Sequence, residues 1–258
     1  MHKLLFFSLK KAGLLIFCLS IFFVSAQSQT LTLAVAANFR DPMNEIIRAF
    51  RKENPDIAVR PVFGSSGSLY QQISHNAPFD IYFSANTRYP DELFKQGRAC
   101  DTPKIYALGK LILWSRDQQV DNGMKVLKDK NIRKIAIANP DLAPYGKGAV
   151  ESLRHAGIYE VVQNKLVIAD NIAQAAQFTI SGNADAGLLA YSQLYSPAIN
   201  GKGSYYVIPE NYYNPIQQAV VVVCSDKKNT AAVQFMDYMK SKTAEKIILR
   251  YGYGLGNL

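Results

Sequence analysis

The sequence predicts an α/β protein in which strands and helices alternate along the chain. Short apolar runs of strand type, such as residues 31–36 and 186–190, are separated by segments with apolar residues at helical spacing. Clusters of glycine, proline, asparagine and serine punctuate these segments. Alternation of this kind favours mixed, mostly parallel sheets that are covered by helices on both faces.

The first half of the pattern contains three strand–helix units. Asp41 is the predicted N-cap of the first helix, and Pro42 lies in its first turn. A Gly-Ser segment at 64–68 separates the second strand from the second helix. In chain order we expect a strand over 31–36, a helix from Asp41 to the Asn-Pro-Asp turn at 54–56, a strand over 57–63, a short helix ending near Asn76, a strand over 80–84 and a helix around 90–96.

The second half continues the alternation. Asn171 is a predicted helix N-cap, and Gly182 closes the helix that it begins. The chain ends in one long predicted helix. The expected strands are residues 110–115, 134–138, 186–190, 205–208 and 219–223, and the expected helices are 149–156, 172–181 and 230–250.

The first 26 residues have the pattern of a secretory signal peptide. Lys3, Lys10 and Lys11 precede an apolar run over 14–24, and small residues follow up to Ala26. The run is short for a membrane span. We therefore expect cleavage after Ala26 and an exported, soluble mature protein.

The mature chain is long enough for one large domain or two smaller ones. We expect two α/β lobes, with residues 27–107 and 218–258 in lobe 1 and residues 108–217 in lobe 2. The chain then crosses between the lobes twice, and the two crossings form a hinge. A hinged cleft suits capture of a ligand by closure.

Composition excludes some classes of function. The formal net charge is +9, but the basic residues are scattered and form no stripe interleaved with aromatic residues, which argues against nucleic-acid binding. His75 and His155, the histidines of the mature chain, have no cysteine or acidic cluster beside them, so no zinc or catalytic metal site is expected. Cys100 and Cys224 could form a disulfide in an exported protein, but their spacing does not establish one. We expect Cys224, which follows an apolar run, to be a buried free thiol.

Four strand-to-helix junctions share one chemical character, because they are small and uncharged at their centres. In open parallel sheets such junctions lie at the carboxyl ends of the strands, where ligands bind. A helix N-terminus offers unpaired N–H donors and about half a positive charge, so several of them hold a small dianion without Lys or Arg. Any one junction can be an ordinary turn and cap, but together they favour an anion receptor. They are residues 36–39, 64–68, 143–146 and 170–173.

Other chemistries fit less well. A secreted serine hydrolase would use Ser66, but the segment lacks the final glycine of a nucleophile elbow and an evident histidine partner. The tyrosine pairs Tyr205-Tyr206 and Tyr212-Tyr213 could suggest ferric iron ligation, but no carboxylate or histidine arrangement accompanies them. We expect these tyrosines to pack at the hinge.

A succession of short motifs runs through nearly the whole mature chain. They are Ala36-Ala37-Asn38-Phe39, Gly64-Ser65-Ser66-Gly67, residues 77–85, 137–140, 143–146 and 211–219, and the tail at 236–252. This succession resembles that of the periplasmic molybdate-binding proteins of ABC importers.

The resemblance implies a periplasmic-binding-protein fold of two lobes with a hinge, and a cleft that holds molybdate or tungstate through neutral hydrogen bonds. By position, Asn38 would occupy the first ligand site with the backbone of Ala37 close by. Ser66 would donate through its hydroxyl and N–H, Tyr145 through its phenol, and Ile172 through its backbone N–H.

Two positions depart from many relatives. Many relatives have serine at the position of Asn38. Some also have a ligating tyrosine at the end of the strand, where this chain has Ala190 and its tyrosine, Tyr191, comes one place later. We therefore assign the phenolic donor to Tyr145.

We expect a periplasmic, monomeric solute-binding protein that delivers its oxyanion to an inner-membrane ABC permease with a cytoplasmic ATPase. No enzyme activity, cofactor, nucleic-acid partner or direct protein–metal ligand is expected. The alternatives are a receptor for another oxyanion such as sulfate, and a secreted serine hydrolase.

Overall fold

Two separate mixed sheets form the framework of the protein in a computed structural model, which describes residues 29–224 and 229–258. The predicted signal peptide lies outside these residues. The strands are β1 (Gln29–Ala36), β2 (Ile57–Gly64), β3 (Ile81–Phe83), β4 (Lys104–Gly109), β5 (Leu111–Ser115), β6 (Ile135–Ala138), β7 (Leu166–Ala169), β8 (Ala186–Ala190), β9 (Ser204–Val207), β10 (Ile216–Val222) and β11 (Gly254–Leu255).

The helices flank these sheets, and short 3-10 turns connect several elements. The α-helices are α1 (Arg40–Glu53), α2 (Ser66–Ser74), α3 (Arg88–Lys95), α4 (Pro144–His155), α5 (Tyr159–Val162), α6 (Ile172–Ile180), α7 (Thr230–Met239) and α8 (Lys242–Arg250). The 3-10 turns are Ala37–Phe39, Met124–Lys128, Gln163–Lys165, Tyr191–Tyr195 and Glu210–Tyr212. Among the described residues, none of the helices has the length and apolar character needed to cross a membrane.

The six-stranded sheet has the order β11-β4-β10-β3-β1-β2, and the five-stranded sheet has the order β7-β6-β8-β5-β9. Both are mixed, as predicted, although parallel pairing is confined to β1 with β2 and β3 and to β6 with β7 and β8. The remaining pairings are antiparallel. The four strands that end at the predicted junctions, β1, β2, β6 and β7, all have parallel partners.

The sheets correspond to the two lobes. The six-stranded sheet uses segments assigned to lobe 1, and the five-stranded sheet uses segments assigned to lobe 2, while β4 and β10 run across the boundaries placed at 107 and 218. The chain crosses between the sheets from Gly109 to Leu111 and again over residues 208–216. Tyr213 lies at this crossing, where its hydroxyl accepts a hydrogen bond from the Leu111 N–H at 3.1 Å. The prediction that the paired tyrosines pack at the hinge was wrong for Tyr205 and Tyr206, because both pair with β5 as part of the edge strand β9.

The sheet of lobe 1 has an apolar layer on both faces, because alternate strand residues point to opposite sides. Leu33 and Val35 of β1 pack with α1, α7 and α8, whereas Ala34 packs with residues of α2 and α3. A third cluster, centred on the fully buried Trp114, fills lobe 2. Burial of each large apolar side chain stabilises the fold by roughly 1.5–3 kcal/mol.

Two helix predictions were wrong at their ends. Helix α1 begins at Arg40, and its N-cap position is Phe39, which makes no side-chain cap; Asp41 lies in the first turn instead. The predicted helix over 230–250 is divided into α7 and α8. Ser241 accepts a hydrogen bond from the Ala244 N–H and caps α8, so the local cap starts a new helix where an unbroken one was expected.

The prediction of a free Cys224 thiol was also wrong. Cys100 and Cys224 form a disulfide, with their Cα atoms 5.0 Å apart. An isolated antiparallel bridge between Ala99 and Val223 places the two cysteines side by side. Backbone hydrogen bonds on either side, including Cys100 N–H to Val222, hold this register.

Candidate functional site

The four predicted junctions meet at one small cavity between the lobes. Two of them, after β1 and β2, belong to lobe 1, and two, after β6 and β7, belong to lobe 2. The cavity has an empty volume of about 190 Å³. Its lining residues are Ala36, Ala37, Asn38, Gly64, Ser65, Ser66, Ala85, Ala143, Pro144, Tyr145, Asn171 and Ile172. The structure thus brings together all five residues assigned to the site from the sequence, and their role as ligands stays a prediction.

No charged side chain lines this cavity. The space open to the centre of a water-sized sphere is about 10 Å³, roughly what one water molecule needs by that measure. The cavity is therefore too small for a larger organic substrate.

Ser66 begins α2 and is almost fully buried, with 1% exposure. Its hydroxyl oxygen accepts a hydrogen bond from the Ala85 N–H at 2.9 Å. Because this bond uses a lone pair, the hydroxyl proton remains for a ligand oxygen. Ser65 caps the same helix by accepting from the Ser68 N–H at 3.3 Å, so the N–H groups of the first turn are ordered at the cavity wall.

Ile172 begins α6, and Asn171 caps this helix as predicted. The Asn171 side chain accepts from the N–H groups of Ala173 and Gln174, at 3.0 and 3.1 Å. The cap therefore satisfies the second and third N–H groups of the helix and not that of Ile172. This leaves the Ile172 N–H as a donor without an intrahelical partner at the cavity wall.

Tyr145 lies in the first turn of α4, which has proline at its first position and no side-chain cap. Burial raises the pKa of Tyr145 well above the usual tyrosine value, with a contribution from the neighbouring Tyr253. Among the described residues its buried hydroxyl finds no hydrogen-bond partner of good geometry. A neutral, buried donor of this kind matches the phenolic role assigned from the sequence.

Asn38 presents its backbone, and not its side-chain amide, as an available donor. Its Nδ2 atom donates to the Gln218 Oε1 at 2.7 Å and to the Tyr253 hydroxyl at 3.0 Å. Both amide hydrogens are then used. Tyr106 also donates to the Gln218 Oε1, at 3.0 Å. A buried polar network in lobe 1 therefore fixes the orientation of the first junction.

The sequence reasoning missed Gln218, Tyr253 and Ser192, which support the site from behind. Gln218 lies in a segment that carries the family resemblance, and Tyr253 comes directly after another, but no spacing links them to Asn38. Tyr191, whose role was open, does not line the cavity, and its ring packs against that of Tyr195 with 6.0 Å between centroids.

Direct contacts close the cleft over the cavity. The Gly67 N–H of lobe 1 donates to the Leu142 carbonyl of lobe 2 at 2.8 Å. The Tyr89 hydroxyl of lobe 1 donates to the Asp141 carbonyl at 3.2 Å. The structure is therefore that of the closed form.

A larger cavity, of about 670 Å³ empty volume, opens between the lobes beside the first. It shares Ala85, Ala143 and Pro144 with the inner cavity but also contains charged side chains of both signs, among them Arg88 and Glu151. The starts of α3 and α4 line this larger cavity, but its charged side chains distinguish it from the uncharged inner cavity.

Catalytic and metal chemistry receive no support at this site. No histidine lines the inner cavity beside Ser66, so the hydrolase alternative has no general base there. Over residues 29–224 and 229–258, no group of three or more histidine, cysteine or acidic residues could hold a metal ion.

Two lobes that close at a hinge over a cavity between them are typical of proteins that bind solutes and release them by opening. The chain itself belongs to such a family: residues 31–254 match the model of the bacterial extracellular solute-binding protein family. This membership confirms the prediction of a binding protein rather than an enzyme.

The chain is similar to proteins of this class from several bacteria. It is 40% identical over 233 residues to the molybdate-binding protein ModA of Azotobacter vinelandii, covering 90% of this chain and 92% of that protein. It is also 40% identical over 224 residues to ModA of Rhodobacter capsulatus, covering 85% and 86% of the two chains. The solved structure of the periplasmic molybdate-binding protein of Azotobacter vinelandii matches with a TM-score of 0.83 and 37% identity, over 88% of this chain and all of that one (100%).

Proposed function

We propose that this protein captures molybdate, and with it tungstate, in the periplasm and delivers it to an ABC importer. The observation that carries the proposal is the uncharged cavity at which four strand-to-helix junctions meet. Fixed N–H and hydroxyl donors from both lobes surround a doubly charged oxyanion there without any basic side chain. The similarity to molybdate-binding proteins of two bacteria supports the same ligand.

We assign the donors from the family resemblance, and the position of each residue at the cavity supports the assignment. Ser66 donates through its hydroxyl and N–H, Ile172 and the Ala37–Asn38 backbone donate through N–H groups, and Tyr145 donates through its phenol. Each donor is neutral, so the helix termini supply the electrostatic attraction.

Selectivity has two sources. No carboxylate lines the inner cavity, so a protonated oxyanion such as hydrogen phosphate finds no strong acceptor for its proton. Size separates the remaining dianions, because donors held by rigid helix starts cannot all reach a smaller ion such as sulfate.

The remaining parts of the proposal concern assembly. The protein acts as a monomer, and it meets an inner-membrane permease with its cytoplasmic ATPase. Residues 27–107 with 218–258 form one lobe and residues 108–217 form the other, so that closing places two junctions of each lobe on the anion.

A thermal-shift series with molybdate, tungstate, sulfate and phosphate tests this function. At 100 times Kd a ligand stabilises the folded state by about 2.7 kcal/mol, which for a chain of this size raises the Tm by about 5–10 °C. We expect this rise with molybdate and tungstate only. A rise with sulfate alone would contradict the proposal, and labelling of Ser66 by a fluorophosphonate would support the hydrolase.

A further inference from the structure

The 3-10 turn Tyr191–Tyr195, which follows β8, holds two of the four junctions without lining the cavity. Its second and third residues, Ser192 and Gln193, are buried. Neither was assigned a role from the sequence. Their hydrogen bonds lead to Asn38 and Ile172, which are the first and the fourth junction.

Ser192 connects the two lobes. Its hydroxyl donates to the Asn38 carbonyl oxygen at 3.1 Å, across the interface between the five-stranded and the six-stranded sheet. The Tyr253 hydroxyl lies 2.9 Å from the Ser192 Oγ and 2.8 Å from the same Asn38 carbonyl, so its single proton is shared between two acceptors. The three groups form one closed ring of hydrogen bonds, all of it buried.

Gln193 acts within lobe 2. Its Nε2 atom donates to the Ile172 carbonyl at 3.1 Å, and its Oε1 atom accepts from the Ala190 N–H at 3.0 Å. The first residue of α6 is thereby tied to the end of β8. A helix start that is fixed in this way keeps its free N–H aimed in one direction.

We propose that Ser192 and Gln193 are positioning residues that set how long the oxyanion stays bound. This inference rests on the proposed function. Release requires the lobes to separate, and separation breaks the bond between Ser192 and Asn38. The ring of Ser192, Asn38 and Tyr253 therefore acts as a latch that stabilises the closed form. Gln193 instead holds the Ile172 N–H in its position at the cavity.

A latch and a merely structural contact differ in their kinetics. Bonds that form only after closure slow dissociation and leave association unchanged, because the encounter takes place with the lobes apart. A structural defect would instead lower the Tm of the unliganded protein. Loss of one neutral hydrogen bond corresponds to about a 3- to 10-fold change in an equilibrium constant.

The test compares Ser192→Ala with Ser181→Ala. Ser181 is an exposed serine directly after α6, and its hydroxyl donates to the Phe178 carbonyl. Exchange of bound radiolabelled molybdate against unlabelled molybdate measures dissociation, and calorimetry measures Kd. We expect Ser192→Ala to raise the dissociation rate and Kd together by about 3- to 10-fold, with the unliganded Tm unchanged, and Ser181→Ala to change neither.

Tyr253→Phe provides a second variant, since it removes the other hydroxyl of the ring. The double variant should dissociate little faster than the worse single variant, because the two hydroxyls belong to one network. Gln193→Met, which keeps the length of the side chain without its polar atoms, should raise Kd in the same range.

The outcomes separate this inference from the proposed function. If the wild-type protein binds molybdate and Ser192→Ala dissociates at the wild-type rate, the latch is refuted and the function stands. If Ser192→Ala slows association instead, the latch is refuted as well. If the wild type binds none of the oxyanions, both proposals fall.

Discussion

Replacement of Gly67 by alanine should prevent full closure of the cleft while leaving the unliganded protein intact. Gly67 is the second residue of α2 and touches lobe 2 through its N–H. A Cβ atom at this position would lie 3.0 Å from both the Cα and the Cδ2 atoms of Leu142 in lobe 2. It would also lie 2.8 Å from the Tyr89 hydroxyl of its own lobe, but that is the far end of a side chain and can shift. The Leu142 Cα belongs to the backbone, so no rotamer change removes this contact.

The magnitude follows from the overlap. Ordinary carbon–carbon contacts lie near 3.5–4.0 Å, so the lobes must stay apart by about half an ångström. Overpacking of this kind costs about 1–3 kcal/mol, which corresponds to roughly a 5- to 150-fold rise in Kd. Alanine is the better helix former by about 1 kcal/mol, so the unliganded protein should be at least as stable as the wild type.

Calorimetry with molybdate and thermal unfolding without ligand measure the two effects separately. Gly148→Ala in α4 is the matched control, because its Cβ would meet nothing nearer than 3.7 Å. Wild-type affinity in Gly67→Ala would refute the reasoning. A loss of unliganded stability as large as the loss of binding would refute it too, because the clash would then exist in the open form.

Three further predictions address the site, the disulfide and the buried tyrosines. Ser66→Ala should weaken molybdate binding by about 1.5–3 kcal/mol, the value of a hydrogen bond to a charged group. Ser74→Ala is the control, because Ser74 belongs to the same helix and its buried hydroxyl has no hydrogen-bond partner among the described residues. Equal calorimetric affinities of Ser66→Ala and the wild type would remove Ser66 from the site. Reduction of the Cys100–Cys224 disulfide should destabilise the folded state by about 2–5 kcal/mol, seen as a lower Tm with reductant, and an unchanged Tm would contradict this. The free energy of unfolding should fall as the pH rises above the usual tyrosine pKa of 10.0 and through about 12, because burial raises the pKa of Tyr253 to about 12 and holds it protonated only in the folded state. Urea unfolding from about pH 8 to about pH 11 checks this, and a flat profile would contradict it.

The alternation of strands and helices could be predicted because most elements carry local signals. Helix α6 has an Asn171 cap and a glycine after its end, and β8 is a continuous apolar run. Strands β4 and β11 lack such signals: β4 is only partly buried, and β11 has two residues. Their pairing depends on the sheet that receives them.

The wall of the site was also predictable, because a helix start is a local feature of the chain. The buried hydrogen bonds that hold this wall in place could not be predicted from the sequence. Asn38 meets Gln218 and Tyr253 across 180 and 215 residues of sequence, and no periodicity connects such distant positions. The same holds for Cys100 and Cys224, which an isolated bridge brings together after folding.

The position of the disulfide has a consequence for the integrity of the molecule. Strands β5 to β9, the complete second sheet, lie between Cys100 and Cys224, so the covalent loop encloses that whole sheet. A protease that cuts one peptide bond anywhere inside this loop leaves both pieces joined. An exported protein that proteases cut once between Cys100 and Cys224 thus remains one covalently linked molecule.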